Sequence, residues 1–315
     1  MKIKIEILTP LHIGSGEDIS PSEYLVDTNL DIFSRLNMDA LFHDLSFKKY
    51  MDRFISEACR QRYIGSIIDH SLLKKYPLYS IPISGEAKSY IANNQTNVRA
   101  LIKTGGRVFI PGSSIKGSIL SALMWHVLKN NYGVSRTKIH ELITKRPQNR
   151  REEGEAYNEL LKLSLSLISP DSKKGRFSQW VNLSDSTCNP PQESIEIYLS
   201  RVKGARWGGE LPILFEGIKK GQTFETELSI VGSKFSEKEI LETVHDFYLK
   251  VADYDEVNVD KQPYLLRLGQ GSTVYATSLL ILARDLGIKD YRVSPPRTRK
   301  RIDDKIPMGF VRLTL

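Results

Sequence analysis

The chain of 315 residues carries 45 Lys and Arg against 37 Asp and Glu, a net charge of +8, with 40% hydrophobic and 26% charged residues. This is the balance of an ordinary soluble protein long enough for two compact domains, and its charge suits a polyanionic partner. Two cysteines, Cys59 and Cys188, exclude a disulfide framework, six histidines without HxH or HxxxH spacing argue against a protein-only transition-metal site, and no cofactor is expected.

Lys2 to Leu8 alternates as a strand with Ile3, Ile5 and Ile7 on one face, where a signal peptide would carry an apolar block. No apolar run approaches the ~20 residues of a membrane span, so the expected compartment is the cytoplasm. Thr9-Pro10 interrupts the first strand and Gly14-Ser15-Gly16 makes a flexible turn. Glu23 to Met38 reads as a strand pair across Asp27-Thr28-Asn29, and Asp39 to about Gln95 as a helical insertion of mixed 3.6 periodicity. Arg107 to Pro111 returns to strand and feeds a helix. Ser135 to Leu167 carries a solvated basic stretch, KRPQNRRE, then a helical run.

QWVNLSDS and ESIEIYLSRVKGA read as strands on either side of Pro190-Pro191. Leu211 to Val231 reads as a hairpin turning at Lys219-Lys220-Gly221, and Ser236 to Val251 as an amphipathic helix capped by Ser236 with Glu239. LLRLGQGSTVYATSLLILARDLG then repeats the order strand, glycine-rich turn, helix, and MGFVRLTL closes as a strand. The repeated order predicts two related α+β halves, residues 1–205 and 206–315, with the helical insertion at about 39–95 in the first.

The segment Val108 to Leu123, VFIPGSSIKGSILSAL, has the look of an anion site. It is not a P-loop, because Lys116 precedes Gly117 and three residues separate Gly112 from Lys116. Ser113 or Ser114 can cap the helix, whose first N–H groups attract negative charge. Ile115, Ile119, Ala122, Leu123, His126 and Val127 share one face, and Lys116 lies off it. On these residues alone a capped core helix with a solvated lysine is the simpler reading.

TPLHIGSGE at Thr9 to Glu17, IPGSSIKGSILSAL at Ile110 to Leu123, LRLGQGS at Leu266 to Ser272 and the ending PPRTRKR followed by IPMGFVRLTL together resemble the RAMP superfamily of CRISPR-associated proteins. Within it they are similar to the subunit-five branch of the type III-A Csm effector complex. The resemblance implies an α+β fold of two ferredoxin-like, RRM-like domains. It implies a non-catalytic RNA-binding subunit that caps the complex at the 3′ end of the CRISPR RNA and supports 3′-end maturation in antiviral defence. The implied partners are the CRISPR RNA 3′ region, the backbone of Csm subunit three, neighbouring Csm subunits and host nucleases.

Under that resemblance, Gly14, Ser15 and Gly16 with Gly112, Ser113, Ser114 and Lys116 form one expected phosphate-binding edge. Arg267, Gly269, Gln270 and Gly271 form its counterpart in the second half, since a Cβ would hold backbone N–H groups away from a phosphate. For the first glycines a tight turn, and for Arg267 an ion pair, remain alternatives. Arg297, Arg299, Lys300 and Arg301 form the densest basic run, and Lys203 and Arg206 beside Trp207 make a cation and aromatic cluster suited to a base. His12 is the candidate general acid/base of a competing ribonuclease reading. Its apolar Leu-His-Ile setting favours a packed histidine that orders the glycine loop.

Overall fold

In β1 (Lys2–Ile7) alternation decides the faces: Ile3, Ile5 and Ile7 are at most 1% exposed, while Lys2 and Lys4 meet solvent. The computed structural model describes residues 1–144, 150–168, 179–203, 209–231, 235–270, 274–289, 301–303 and 305–315. After β1 the chain continues through β2 (Gly14–Ile19), β3 (Tyr24–Asp27) and β4 (Ile32–Leu36) into α1 (Met38–His43), α2 (Met51–Ala58) and α3 (His70–Leu73). Then come β5 (Pro77–Pro82), α4 (Ala87–Asn93), β6 (Val98–Leu101), β7 (Lys103–Thr104) and β8 (Arg107–Val108). Three helices follow, α5 (Gly112–Asn130), α6 (Tyr132–Thr144) and α7 (Arg150–Ile168), then β9 (Val181–Leu183), α8 (Pro191–Ser194), β10 (Ile195–Lys203), β11 (Glu210–Ile218) and β12 (Thr223–Ile230). The last elements are α9 (Glu237–Tyr254), β13 (Leu265–Arg267), α10 (Val274–Asp285), β14 (Arg301–Ile302), β15 (Ile306–Pro307) and β16 (Phe310–Thr314).

Two sheets dominate. One has the order β13-β16-β1-β12-β9, the other β10-β11-β6-β2. Helices α5, α9 and α10 pack on one another and against the first sheet, and Asp285 ties them together by accepting from Trp125 Nε1 at 2.8 Å and from Lys250 Nζ at 2.9 Å. Burial of α5 is nearly all-round, from Ile115 to Leu128, which is why its sequence lacks a clean polar face. A single large apolar cluster runs through both sheets, and a smaller one, around Leu41, Phe47, Ile64 and Leu73, fills the arm between β4 and β5.

The expected hairpin at Leu211 to Val231 is not one. The turn is present, with Gly221 at φ +87°, yet β11 pairs with β10 and β6 whereas β12 pairs with β1 and β9. The chain also leaves the first sheet between β1 and β2, and the two crossings meet where Leu11 and Ile218 exchange backbone hydrogen bonds of 3.0 and 2.7 Å. The helical reading of residues 39–95 also needs correction, because Pro77–Pro82 forms β5 against β4. A short run flanked by prolines gave little strand signal, and its partner β4 supplies the ladder. Of the basic stretch KRPQNRRE, the residues from Arg150 onward belong to α7, and residues 145–149 lie outside the described residues. The expected boundary at 205/206 falls between β10 and β11, which pair in register over Ile195–Lys203 and Glu210–Ile218.

Candidate nucleic-acid interface

Two hydrogen bonds draw the three glycine-rich segments together. Ser118 Oγ, in the second turn of α5, donates to Arg267 O at 2.8 Å, and the Gln270 N–H donates to His12 O at 2.8 Å. The start of α5, the end of β13 and the start of β2 are therefore neighbours. Gly269 has φ +67°, and a Cβ there would collide with the His12 carbonyl, so glycine is needed both for its dihedral angle and for the close approach.

The first edge is open. Gly14, Ser15 and Gly16, expected as a flexible turn, instead open strand β2 against β6; they are exposed, Gly16 has φ +91°, and Ser15 Oγ donates to Ala100 O at 3.3 Å while accepting from the Glu17 N–H at 3.2 Å. On α5, Ser113 is exposed, Ser114 and Lys116 are half-buried, and Lys116 makes no ion pair among the described residues.

Several expected contacts are corrected. Gly112 is buried against Leu183 and Ser184, and its N–H donates to Asp185 Oδ1 at 2.8 Å, so this donor of the helix start already holds a carboxylate. Neither Ser113 nor Ser114 caps α5; the cap position is Pro111, which has no side-chain cap bond. Arg267 is 1% exposed, with Nη1 on Asp255 Oδ2 at 2.5 Å, Nε donating to Met308 O at 2.9 Å and the guanidinium over the Phe310 ring. Its place is inside the fold, where a phosphate cannot reach it. Arg301 donates to Asp255 O at 2.8 Å and to Lys305 O at 3.3 Å, so its guanidinium fastens the β14 strand to the loop after α9. Lys203 closes β10 opposite Glu210. Arg206, Trp207, Gly271, Arg297, Arg299 and Lys300 lie outside the described residues.

His12 is 2% exposed, stands edge-on to Phe215, and places Nδ1 at 2.6 Å from Glu216 O. Facing a carbonyl, Nδ1 carries the proton. Burial holds the His12 pKa below its ordinary value despite the nearby Glu216 carbonyl and carboxylate. This is a packed histidine beneath the start of β2, not a solvent-facing acid.

The sequence reading missed Glu216, which is fully buried and holds the crossing together. Its carboxylate accepts from Tyr79 Oη at 2.5 Å, Lys103 Nζ at 2.5 Å and the Leu101 N–H at 2.9 Å. Burial lowers the Lys103 pKa, with Glu216 opposing, and burial together with Glu216 raises that of Tyr79. One signal was available: a lone acid inside the apolar run PILFEGI. Asp185 and Asp255, which hold Gly112 and Arg267, gave none.

The chain is thus a basic α+β protein of two linked sheets whose glycine-rich segments meet where the chain crosses between them. The RAMP superfamily signature matches residues 4–256, and the chain belongs to that superfamily. The CRISPR system Cms protein Csm5 of Methanocaldococcus jannaschii is 27% identical over 235 residues, covering 73% of this chain and 52% of that protein. The chain thus spans about half the length of this curated relative. Two solved structures share the fold. One is a chain in the cryo-EM structure of a Csm–crRNA–target RNA ternary complex of a type III-A CRISPR-Cas system, with a TM-score of 0.70, 20% identity and 100% of both chains covered. The other is the crystal structure of T. onnurineus Csm5, with a TM-score of 0.70, 21% identity and coverage of 98% and 99%.

Proposed function

We propose that this protein is an RNA-binding, non-catalytic subunit of a type III-A CRISPR effector, similar in role to Csm5. In this reading it works in the cytoplasm, caps the row of subunit-three copies at the 3′ end of the CRISPR RNA, and supports maturation of that end by host nucleases. The observation that carries the reading is the convergence of the three glycine-rich segments through the Ser118–Arg267 and Gln270–His12 bonds. Exposed backbone at Gly14 to Gly16 and the cation of Lys116 are what a single RNA strand requires along its phosphates.

The strand order supports the proposed domain type. Taken as β1-α5-β9-β12-α9-β16, the first sheet has the order β16-β1-β12-β9, which is that of a ferredoxin-like unit with β13 added at its edge. The four-stranded sheet is the proposed second unit, with α1 to α3 as the arm inserted beside it. Burial of His12 favours binding over His12-centred RNA cleavage.

The test is the guide length distribution in complexes assembled with Lys116→Ala plus Ser15→Asp. Long, untrimmed guides in complexes that still assemble are the expected result. The wild-type chain should bind single-stranded RNA with log affinity falling by about 0.7 per phosphate contact per log unit of salt, and the variant should show a shallower slope. Normal guides and an unchanged slope would move the RNA away from this edge. Cleavage of repeat RNA that His12→Ala abolishes would restore the enzyme reading.

A further inference from the structure

At the far end of β2 from Gly14 lies a second feature. An open groove of about 560 Å3 is bounded by Asp18 of β2, Arg99 of β6, Tyr90 of α4, Asn97, Gln61 and the first residues of β11. Its volume falls within the roughly 300–1,000 Å3 of small-molecule sites. Asp18 and Arg99 are register partners across β2 and β6, yet they form no ion pair with each other. The side chains of Gln61, Asn97 and Arg99, the Asp18 carboxylate and the Tyr90 hydroxyl have no hydrogen-bond partner among the described residues. Pro21, Pro212 and Leu211, the last 63% exposed, add an apolar wall.

This combination selects for one kind of ligand. An aromatic ring and a flat apolar wall suit a planar ring system. Two carboxamides and a carboxylate offer both donors and acceptors to its edge, and one guanidinium suits an attached phosphate. Gly14 and Asp18 lie opposite Leu101 and Arg99, two residues apart on β6 and so roughly 7 Å along the ladder because β2 is irregular between them, and one continuous single strand can engage both the glycine edge and the groove.

We infer that the groove seats one unpaired nucleotide of the RNA strand held at the glycine edge. The base packs on Tyr90, Asn97 and Gln61 meet its edge, and Arg99 meets its phosphate. This rests on the RNA-binding reading above and adds a base-contacting site to what is otherwise a backbone interface.

The experiment uses the full chain and a fluorescent 12-nucleotide single-stranded RNA containing 4-thiouridine, titrated at several salt concentrations and then photo-crosslinked. Tyr90→Ala should weaken binding roughly five- to hundredfold, the range for losing a base–aromatic stack, with the salt slope unchanged. Arg99→Ala should reduce the slope by about one phosphate contact. Crosslinks should map to the peptide containing residues 90–99 in the wild type. Because Tyr90 is half-buried, the exposed Asn97→Asp serves as a fold-neutral second variant, expected to weaken binding with unchanged melting. If the wild type binds RNA while Asn97→Asp and Arg99→Ala bind identically to it and the crosslinks lie elsewhere, the groove is not a nucleotide seat and the glycine-edge reading stands. If the wild-type chain binds no RNA, both readings fall together.

Discussion

Glu216 shows how one residue can set the geometry of a surface it never reaches. Its carboxylate is bound by Tyr79, Lys103 and Leu101 while its carbonyl fixes His12, so the loop from Leu11 to Gly16 rests on a buried charge pair. Glu216→Ala leaves the Lys103 ammonium, about one-tenth exposed, without its counter-charge and should cost about 3–5 kcal/mol in urea unfolding. His12 gives a pH signature. Its folded pKa lies below the unfolded value of about 6.5, so its contribution to stability is complete above that pH and is lost as pH falls toward the folded value. The melting temperature should therefore drop between about pH 7.5 and 5, and His12→Gln should drop less over the same range. Gly269→Ala, which needs both a positive φ and space beside the His12 carbonyl, should destabilise by about 1–3 kcal/mol and release the Gln270–His12 contact.

At the scale of elements, the termini of helices α5 and α9 follow opposite logic. Helix α9 is capped locally: Ser236 accepts from the Glu239 N–H at 3.2 Å and Glu239 accepts from the Ser236 N–H at 2.7 Å. Four residues of sequence were enough to place that start, and Ser236→Ala should lower the melting temperature by roughly 2 °C in a thermal scan. Helix α5 is capped from a distance by Asp185, 73 residues further along the chain. Its serines looked like caps because the pattern admits them, but the long-range carboxylate occupies the Gly112 N–H. The same contrast divides the strand pairs. β3 and β4 pair across a short turn, as their adjacency suggests, whereas β11 and β12 share a turn and separate into different sheets.

At the scale of the molecule, the chain is interleaved. β1 lies between β12 and β16, residues more than 200 positions away, and β2 lies at the edge of the sheet that holds β10 and β11. Fragments 1–205 and 206–315 expressed separately should therefore lack cooperative unfolding by circular dichroism, because each would expose the ladder edges and apolar faces meant for the other. Co-expression should restore a folded species. What the sequence determined by itself was what depends on near neighbours: the alternation of Ile3, Ile5 and Ile7, the Ser236 cap, the helices after each glycine-rich turn, and the glycine motifs that carry the family resemblance. Which strands pair, which of Arg267, Arg301 and Lys116 is tied up inside the fold, and why Glu216 sits in an apolar strand were decided only in three dimensions. Pairing partners and counter-charges come from segments remote in the chain, and a local pattern carries no record of them.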